Sequence, residues 1–202
     1  MLVIVTRPAA QAAEWVAALA AAGHEAAAVP LLAIDPAPDP AAVRAAWADL
    51  AADQLVMFVS PNAVTNFFAA APGTPWPAGV LAGATGPGTS AALRRAGVPE
   101  ALIVEPGPEG PFDSEGLWAQ LAPRRRWAGA RVSVVRGEGG RDWFADTLRA
   151  QGATLRFIEA YRRTAPVLDA PAQAALSRAL RAPREACWLF SSSEALGHLA
   201  QL

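Results

Sequence analysis

The chain repeats itself. Residues 3–32, VIVTRPAAQAAEWVAALAAAGHEAAAVPLL, align with residues 132–161, VSVVRGEGGRDWFADTLRAQGATLRFIEAY, at a shift of 129. Val3 meets Val132, Val5 meets Val134 and Arg7 meets Arg136, while Trp15 meets Phe144, Leu19 meets Leu148 and Gly23 meets Gly152. Each copy reads as a short apolar strand, a polar turn with Arg, an amphipathic helix, a glycine stop and a second strand, which is a βαβ unit. The match goes on with small slips. Asp39-Pro40 and Ala170-Pro171 each open a helix, and proline suits the first helical position because an N–H there has no partner anyway. FVSPNAV (58–64) then meets FSSSEAL (190–196) at a shift of 132. A repeat of this kind predicts two related α/β halves.

The stretch between the copies follows the same grammar. VLAGAT (80–85) reads as a strand, and GPGTSAALRRAG (86–97) as a Gly-Pro turn into a helix stopped by Gly97. ALIVE (101–105) reads as another strand, and FDSEGLWAQL (112–121) as a helix capped by Asp113 or Ser114. Strands alternating with helices of this length imply parallel sheets. Five strands, near residues 55, 80, 101, 131 and 154, suffice for a complete doubly wound domain, inserted at 34–164. The ends, 1–33 plus 165–202, supply strands near 3, 26 and 187 for a discontinuous one. A full second repeat would add roughly 50 residues after Leu202, so the terminal domain is expected to lack its C-terminal part.

Hydrophobic residues make up 53% and charged residues 17%, a globular and not a disordered composition. Every basic residue is Arg, and the net charge of −1 argues against bulk electrostatic binding of nucleic acid. Arg124-Arg125-Arg126 reads as a solvated loop or helix end. Cys187 stands alone in CWLF and reads as a buried strand cysteine. The N-terminal MLVIVTRP reads as a strand entering a turn, without the marks of a signal peptide, and no unbroken apolar run is long enough to span a membrane. The expectation is a soluble cytoplasmic protein.

The corners after strands are where open parallel sheets bind ligands. Ser60 before Pro61, and Ser192 before Ser193 and Glu194, read as N-caps. The GPGT turn, with Gly86 and Thr89, and RGEGG, with Gly137, present backbone N–H groups near helix starts. Such termini favour carboxylates and phosphates, and Arg7 and Arg136 add cations with bidentate geometry. No phosphate-binding GxxxxGK[ST], dinucleotide GxGxxG, GxSxG or HExxH motif occurs. His24 and His198 lack partners at ligand spacing, and His24 reads as a surface residue, so no metal site is expected. Tyr161, the only tyrosine, ends the strand FIEAY. It reads either as an amphipathic residue at a domain edge or as a hydroxyl at the lip of an inter-domain cleft, able to donate a proton or hydrogen bond.

Together VTRP (5–8), FVSPNAV (58–64), GPGT (86–89), SEGL (114–117), VVRGEGGR (134–141), EAYRR (159–163) and FSSSEAL (190–196) resemble uroporphyrinogen-III synthase in order and spacing across nearly the whole chain. The resemblance implies two flavodoxin-like doubly wound domains joined by a two-stranded linker. It implies closure of the linear tetrapyrrole hydroxymethylbilane to uroporphyrinogen III, with loss of water and inversion of the last pyrrole ring through a spiro intermediate. The product would feed haem, sirohaem, chlorophyll and cobalamin synthesis, and no cofactor would be used. Tyr161 matches the family's cleft tyrosine, Thr89 a cleft threonine, and Ser60 and Ser192 its paired strand-end serines. The family continues past FSSSEAL with a second Gly-Pro-Thr turn and further strand-helix units. Their absence predicts an exposed sheet edge and a tendency to associate, where the complete protein would be a monomer.

Two other readings stand beside the enzyme. One is a catalytically incomplete two-lobed protein that grips a tetrapyrrole or other polyanion. The other is a regulatory α/β protein, which the strand-end residues Thr6, Ser60, Thr85 and Arg136 disfavour because receiver domains need clustered acids there.

Overall fold

A computed structural model describes residues 1–201. In chain order the elements are β1 (Leu2–Val5), α1 (Ala9–Ala21), β2 (Glu25–Ala28), β3 (Ala33–Pro36), α2 (Pro40–Ala48), β4 (Leu55–Phe58), α3 (Pro61–Ala69), β5 (Leu81–Ala84) and α4 (Pro87–Arg95). They continue with β6 (Ile103–Val104), α5 (Ser114–Leu121), β7 (Arg131–Gly137), α6 (Trp143–Ala150), β8 (Thr154–Thr164), α7 (Ala170–Arg181), β9 (Ala186–Leu189) and α8 (Ser193–Leu199). The chain divides into two compact units, one of residues 1–35 with 163 onward, the other of residues 36–162. Among the described residues no helix is long and apolar enough to cross a membrane.

The terminal unit holds a three-stranded sheet in the order β2-β1-β9. Both ladders are parallel, with Val3 opposite Ala26 on one side and Cys187 on the other. Leu2 and Ile4 pack with Val29, Leu31, Leu168 and Leu176 into its core. Because β9 is the outer strand of this sheet, Cys187 is only half-buried, against the expectation of a fully buried cysteine. The aligned aromatics of the repeat also diverge: Phe144 is 3% exposed, whereas Trp15 is 45% exposed beneath the Arg7 guanidinium. His24 is exposed, as the sequence suggests.

The second sheet has the order β3-β8-β7-β4-β5-β6, and its ladders from β8 to β6 are parallel. Parallel α/β architecture is therefore what the repeat predicts. Counting only the strands of the 36–162 unit, the order is 3-2-1-4-5, not the 2-1-3-4-5 of flavodoxin. The winding reverses at β4, so the carboxyl ends of β4 and β7 flank a topological switch point.

The central strand β4, LVMF, is buried on both faces, as such a strand must be. Leu55 and Met57 face a cluster with Leu117, Trp127, Val132, Val134, Phe144 and Leu148. Phe58, on the alternate face, meets Phe67 and Trp76, and Trp47 stacks on Phe67 at 4.8 Å. The indoles of Trp47 and Trp76 satisfy their N–H groups on the carbonyls of Phe67 and Val80.

Three local expectations need correction. The ALIVE strand shrinks to Ile103–Val104, because Glu100–Leu102 forms a 3-10 turn. Pro171 occupies the second position of α7, whose cap is Asp169, accepting from the Ala172 N–H at 2.9 Å. Tyr161 does not end a strand: β8 runs on to Thr164. The β7–β8 register also slips there, since Arg136 pairs with Glu159 but Gly137 pairs with Tyr161. Ala160 is the extra residue of this bulge, and Ala160 and Tyr161 are both buried where simple alternation would expose one of them.

Candidate active site

At the carboxyl end of β4 the chain turns into α3 through Ser60, in extended conformation (φ −166°, ψ 163°). Its Oγ accepts the Ala63 N–H at 3.1 Å, and Pro61 follows at the first helical position as predicted. The same Oγ lies 3.1 Å from the Tyr161 hydroxyl. A serine hydroxyl has one proton and two lone pairs, so with one lone pair taken by Ala63 it can donate to Tyr161 or accept from it. Tyr161 as a whole is 3% exposed, and its hydroxyl is held by Ser60.

Gly137, the last residue of β7, explains how the ring fits. A Cβ there would stand 2.8 Å from both Cε2 and Cζ of Tyr161. The glycine is needed for close approach of an aromatic face, not for an unusual backbone angle. It is thus a seat for Tyr161, where the sequence suggested a substrate-binding turn.

Beside this pair the GPGT turn opens α4. Gly86 precedes Pro87, and the N–H groups of Thr89 and Ser90 both donate to the Gly86 carbonyl, at 3.0 and 3.1 Å. With proline at the first position and these two bonds made, the turn offers fewer open donors than its sequence promises. Thr89 is itself 4% exposed. Ser90, fully buried, is hydrogen-bonded to Glu105, which Arg94 holds at 3.1 Å while also pairing with Glu100 at 2.7 Å. A Cβ on Gly88 would lie 3.6 Å from Pro61, which sets the starts of α3 and α4 side by side.

Arg136 belongs elsewhere. Its neighbour Gly137 carries Tyr161, and successive strand residues face opposite sides. The Arg136 guanidinium lies 3.8 Å from the centre of the Phe157 ring and donates to Asp142 at 2.7 Å. The structure therefore groups Ser60, Gly137 and Tyr161, with Gly86 and Thr89 at the next corner, and sets Arg136 on the other face.

Arg7 and Ser192 lie in the terminal unit, at the ends of β1 and β9. Arg7 donates from Nε and Nη2 to Gln11, at 3.1 and 2.9 Å, over the Trp15 ring. Ser192 caps α8, accepting the Glu194 N–H at 3.2 Å, and Glu194 pairs with Arg163 at 2.6 Å. Thr6 binds the Leu189 carbonyl at 2.8 Å and ties the two corners together.

Sequence reasoning missed one buried network, at the amino edge of the larger sheet. The Asp53 carboxylate is wholly buried and accepts from Arg131 at 2.5 Å, from Arg156 at 3.1 Å and from Ser133. Arg131 also reaches Asp49 at 2.8 Å, and Asp53 raises the Arg131 pKa through their hydrogen bond. Asp-Gln before a strand is too common a pair to reveal this in advance. Among the described residues no group of three or more His, Cys, Asp or Glu is placed to hold a metal ion.

Comparisons with known proteins converge. The family model HEM4, uroporphyrinogen-III synthase HemD, matches residues 13–202. Uroporphyrinogen-III synthase of Salmonella typhimurium is 31% identical over 178 residues, spanning 86% of this chain and 70% of that protein. The Escherichia coli protein of the same name is 42% identical over 55 residues, 27% of this chain and 22% of that protein. In fold, the chain is similar to a crystal structure of a mutant uroporphyrinogen III synthase from Thermus thermophilus, with a TM-score of 0.58 at 17% identity. That match covers 100% of this chain and 76% of the other. The wild-type Thermus protein, in another crystal form, gives 0.52 at 19% identity, again over 100% of this chain and 76% of that one.

Proposed function

The chain belongs to the uroporphyrinogen-III synthase family, and from that premise we propose that it closes hydroxymethylbilane to uroporphyrinogen III. The observation that supports this most directly is the Ser60–Tyr161 hydroxyl pair beside a topological switch point. In the proposed reaction, the terminal pyrrole pushes electrons into the hydroxymethyl carbon and the C–O bond breaks. Tyr161 donates the proton that turns the departing hydroxyl into water. Ser60 holds the phenol in place and supports the oxygen left behind. The azafulvene carbon is then attacked by the substituted carbon of the last ring, giving a spiro centre. That centre fragments and recloses with the ring inverted, and a carbon-bound proton is released, which returns the phenol to its starting form. The sum is substrate to product plus water, without a redox step.

The chain's larger task is positioning. Spontaneous closure joins the nearer, unsubstituted carbon, so the protein has to hold the alternative carbon in reach. The substrate's acetate and propionate groups suit the starts of α3 and α4 at Ser60, Gly86 and Thr89. Arg7 and Ser192 would hold further carboxylates on the terminal unit. Arg136 joins them only by exchanging Asp142 for a substrate carboxylate. The reading treats the two units as the family's two domains and sets the reaction in the cytoplasm.

The test uses hydroxymethylbilane generated in situ by its synthase, with the porphyrin products oxidised and separated by isomer. Isomer III above the spontaneous isomer I background is the expected result. Isomer I alone, from folded protein, would sink the proposal for this chain.

A further inference from the structure

Residues 116–137 hold five arginines and no acidic residue. Arg131 and Arg136 are engaged, the first by Asp49 and Asp53, the second by Asp142. Arg124, Arg125 and Arg126 are different. All three side chains are exposed, and among the described residues none pairs with a carboxylate. Arg124 donates to the Gln120 carbonyl at 3.1 Å and Arg125 to the Gln54 carbonyl at 3.4 Å, which directs them without neutralising them.

Arg125 and Arg126 border a cavity of about 460 Å³, lined also by Trp118, Trp127 and Gln151 among others. Trp118 is half-buried and stands 5.9 Å from Trp127, with the edge of Phe144 at 6.4 Å fixing its plane. The Arg125 guanidinium lies 5.9 Å from the Trp127 ring centre. The cavity opens at the amino edge of the sheet, where α5 ends, β7 starts and α6 ends. The Ser60–Tyr161 pair is at the other edge, roughly 20 Å away by the 3.3 Å rise per residue along the seven-residue β7.

A solvated basic loop needs no aromatic pocket beneath it. Aromatic rings bind flat molecules by stacking, guanidinium groups bind anions by paired N–H donors, and the volume suits a ligand of nucleotide size. We propose that this cavity is a second ligand site, for a flat ring system bearing anionic groups. Arg125 and Arg126 bind the anionic groups, the half-buried Trp118 stacks on the ring with the core residue Trp127 supporting it from behind, and Gln151 supplies an amide to its edge. Two sources share that chemistry, a nucleotide and an oxidised, planar tetrapyrrole, and the proposal holds for either.

Calorimetric titration of the whole chain with metal-free ATP, with uroporphyrin I and with inorganic pyrophosphate tests it. Saturable binding of ATP or uroporphyrin I is expected, with pyrophosphate weaker by at least about tenfold because it has no ring. Arg125→Ala/Arg126→Ala is expected to weaken that binding at least about tenfold while isomer III formation stays at the parent rate. ATP alone lost in the variant identifies a nucleotide site, and uroporphyrin I alone lost identifies a tetrapyrrole site. The proposal is overturned if neither binds at about 1 mM, if pyrophosphate binds as well as either, or if the variant binds both unchanged. Where ATP does not bind, uroporphyrin I binding that survives the double substitution belongs to the catalytic site and overturns it.

Discussion

The Tyr161 hydroxyl lies 3.1 Å from the Ser60 hydroxyl, across 101 residues of chain. Ser60 is at once the cap of α3 and the partner of the phenol, so helix and strand are tied at one oxygen. Tyr161→Phe removes the phenolic oxygen and little else. Isomer III formation should fall by roughly a hundredfold in kcat, and stability by about 1 kcal/mol. Product analysis beside urea denaturation separates the two. A variant with parent kcat and parent stability would leave the hydroxyl without a role.

Gly137→Ala tests the seat beneath the ring. The added methyl would meet Tyr161 at 2.8 Å, and a buried aromatic cannot swing away as a surface side chain can. The expected cost is about 1–3 kcal/mol in unfolding free energy, with activity falling alongside. In combination with Tyr161→Phe the activity losses should be strongly non-additive, since both act on one group. Full additivity would show that the methyl acts elsewhere.

Asp53→Asn should weaken the fold and spare the chemistry. The carboxylate is fully buried between two arginines that keep about a third of their side chains in water. Losing the charge strands two cations only partly, so about 2–3 kcal/mol is expected, below the range for wholly buried pairs. Urea midpoints measure this, and kcat for isomer III should stay within about twofold because the network lies at the amino edge.

Glu25 gives a pH signature. Its hydrogen bond to Arg178 holds the carboxyl below its ordinary value of 4.5. A carboxylate whose folded pKa is depressed stabilises the protein above its unfolded pKa, and that help is lost as pH falls through the folded one. Arg178→Ala should therefore lower the thermal midpoint slightly at pH 7 and have no effect at about pH 2. The pair lies exposed at the surface, so about 1 M salt should also close the gap. A difference that persists at low pH would point to lost packing of the arginine stem instead.

Much of this was legible because it is local. Asp39, Ser60, Asp113 and Ser192 cap helices where the sequence places caps, since a capping side chain bonds within three residues of itself. The βαβ units follow from periodicity for the same reason. What the sequence hides is long-range. Ser60 meets Tyr161 over 101 residues and Ser133 meets Asp53 over 80, and no local pattern encodes either. Gly137 shows the limit from another side, because a glycine at a strand end looks like a turn until the ring that rests on it is known. Arg136 reads as a ligand-binding cation, yet strand alternation sends it to Phe157 and Asp142.

The bulge at Ala160 makes the phenol's position a matter of counting. Side chains on a strand have two choices of face, with nothing between them. Were the ladder regular here, Gly137 would pair with Ala160, and Tyr161 would fall on the opposite side of the sheet, away from Ser60, with every amino acid of the site still present. A lineage of this protein can therefore drift far in composition along β8, but only while Tyr161 stays opposite Gly137, because the choice of face is all-or-none.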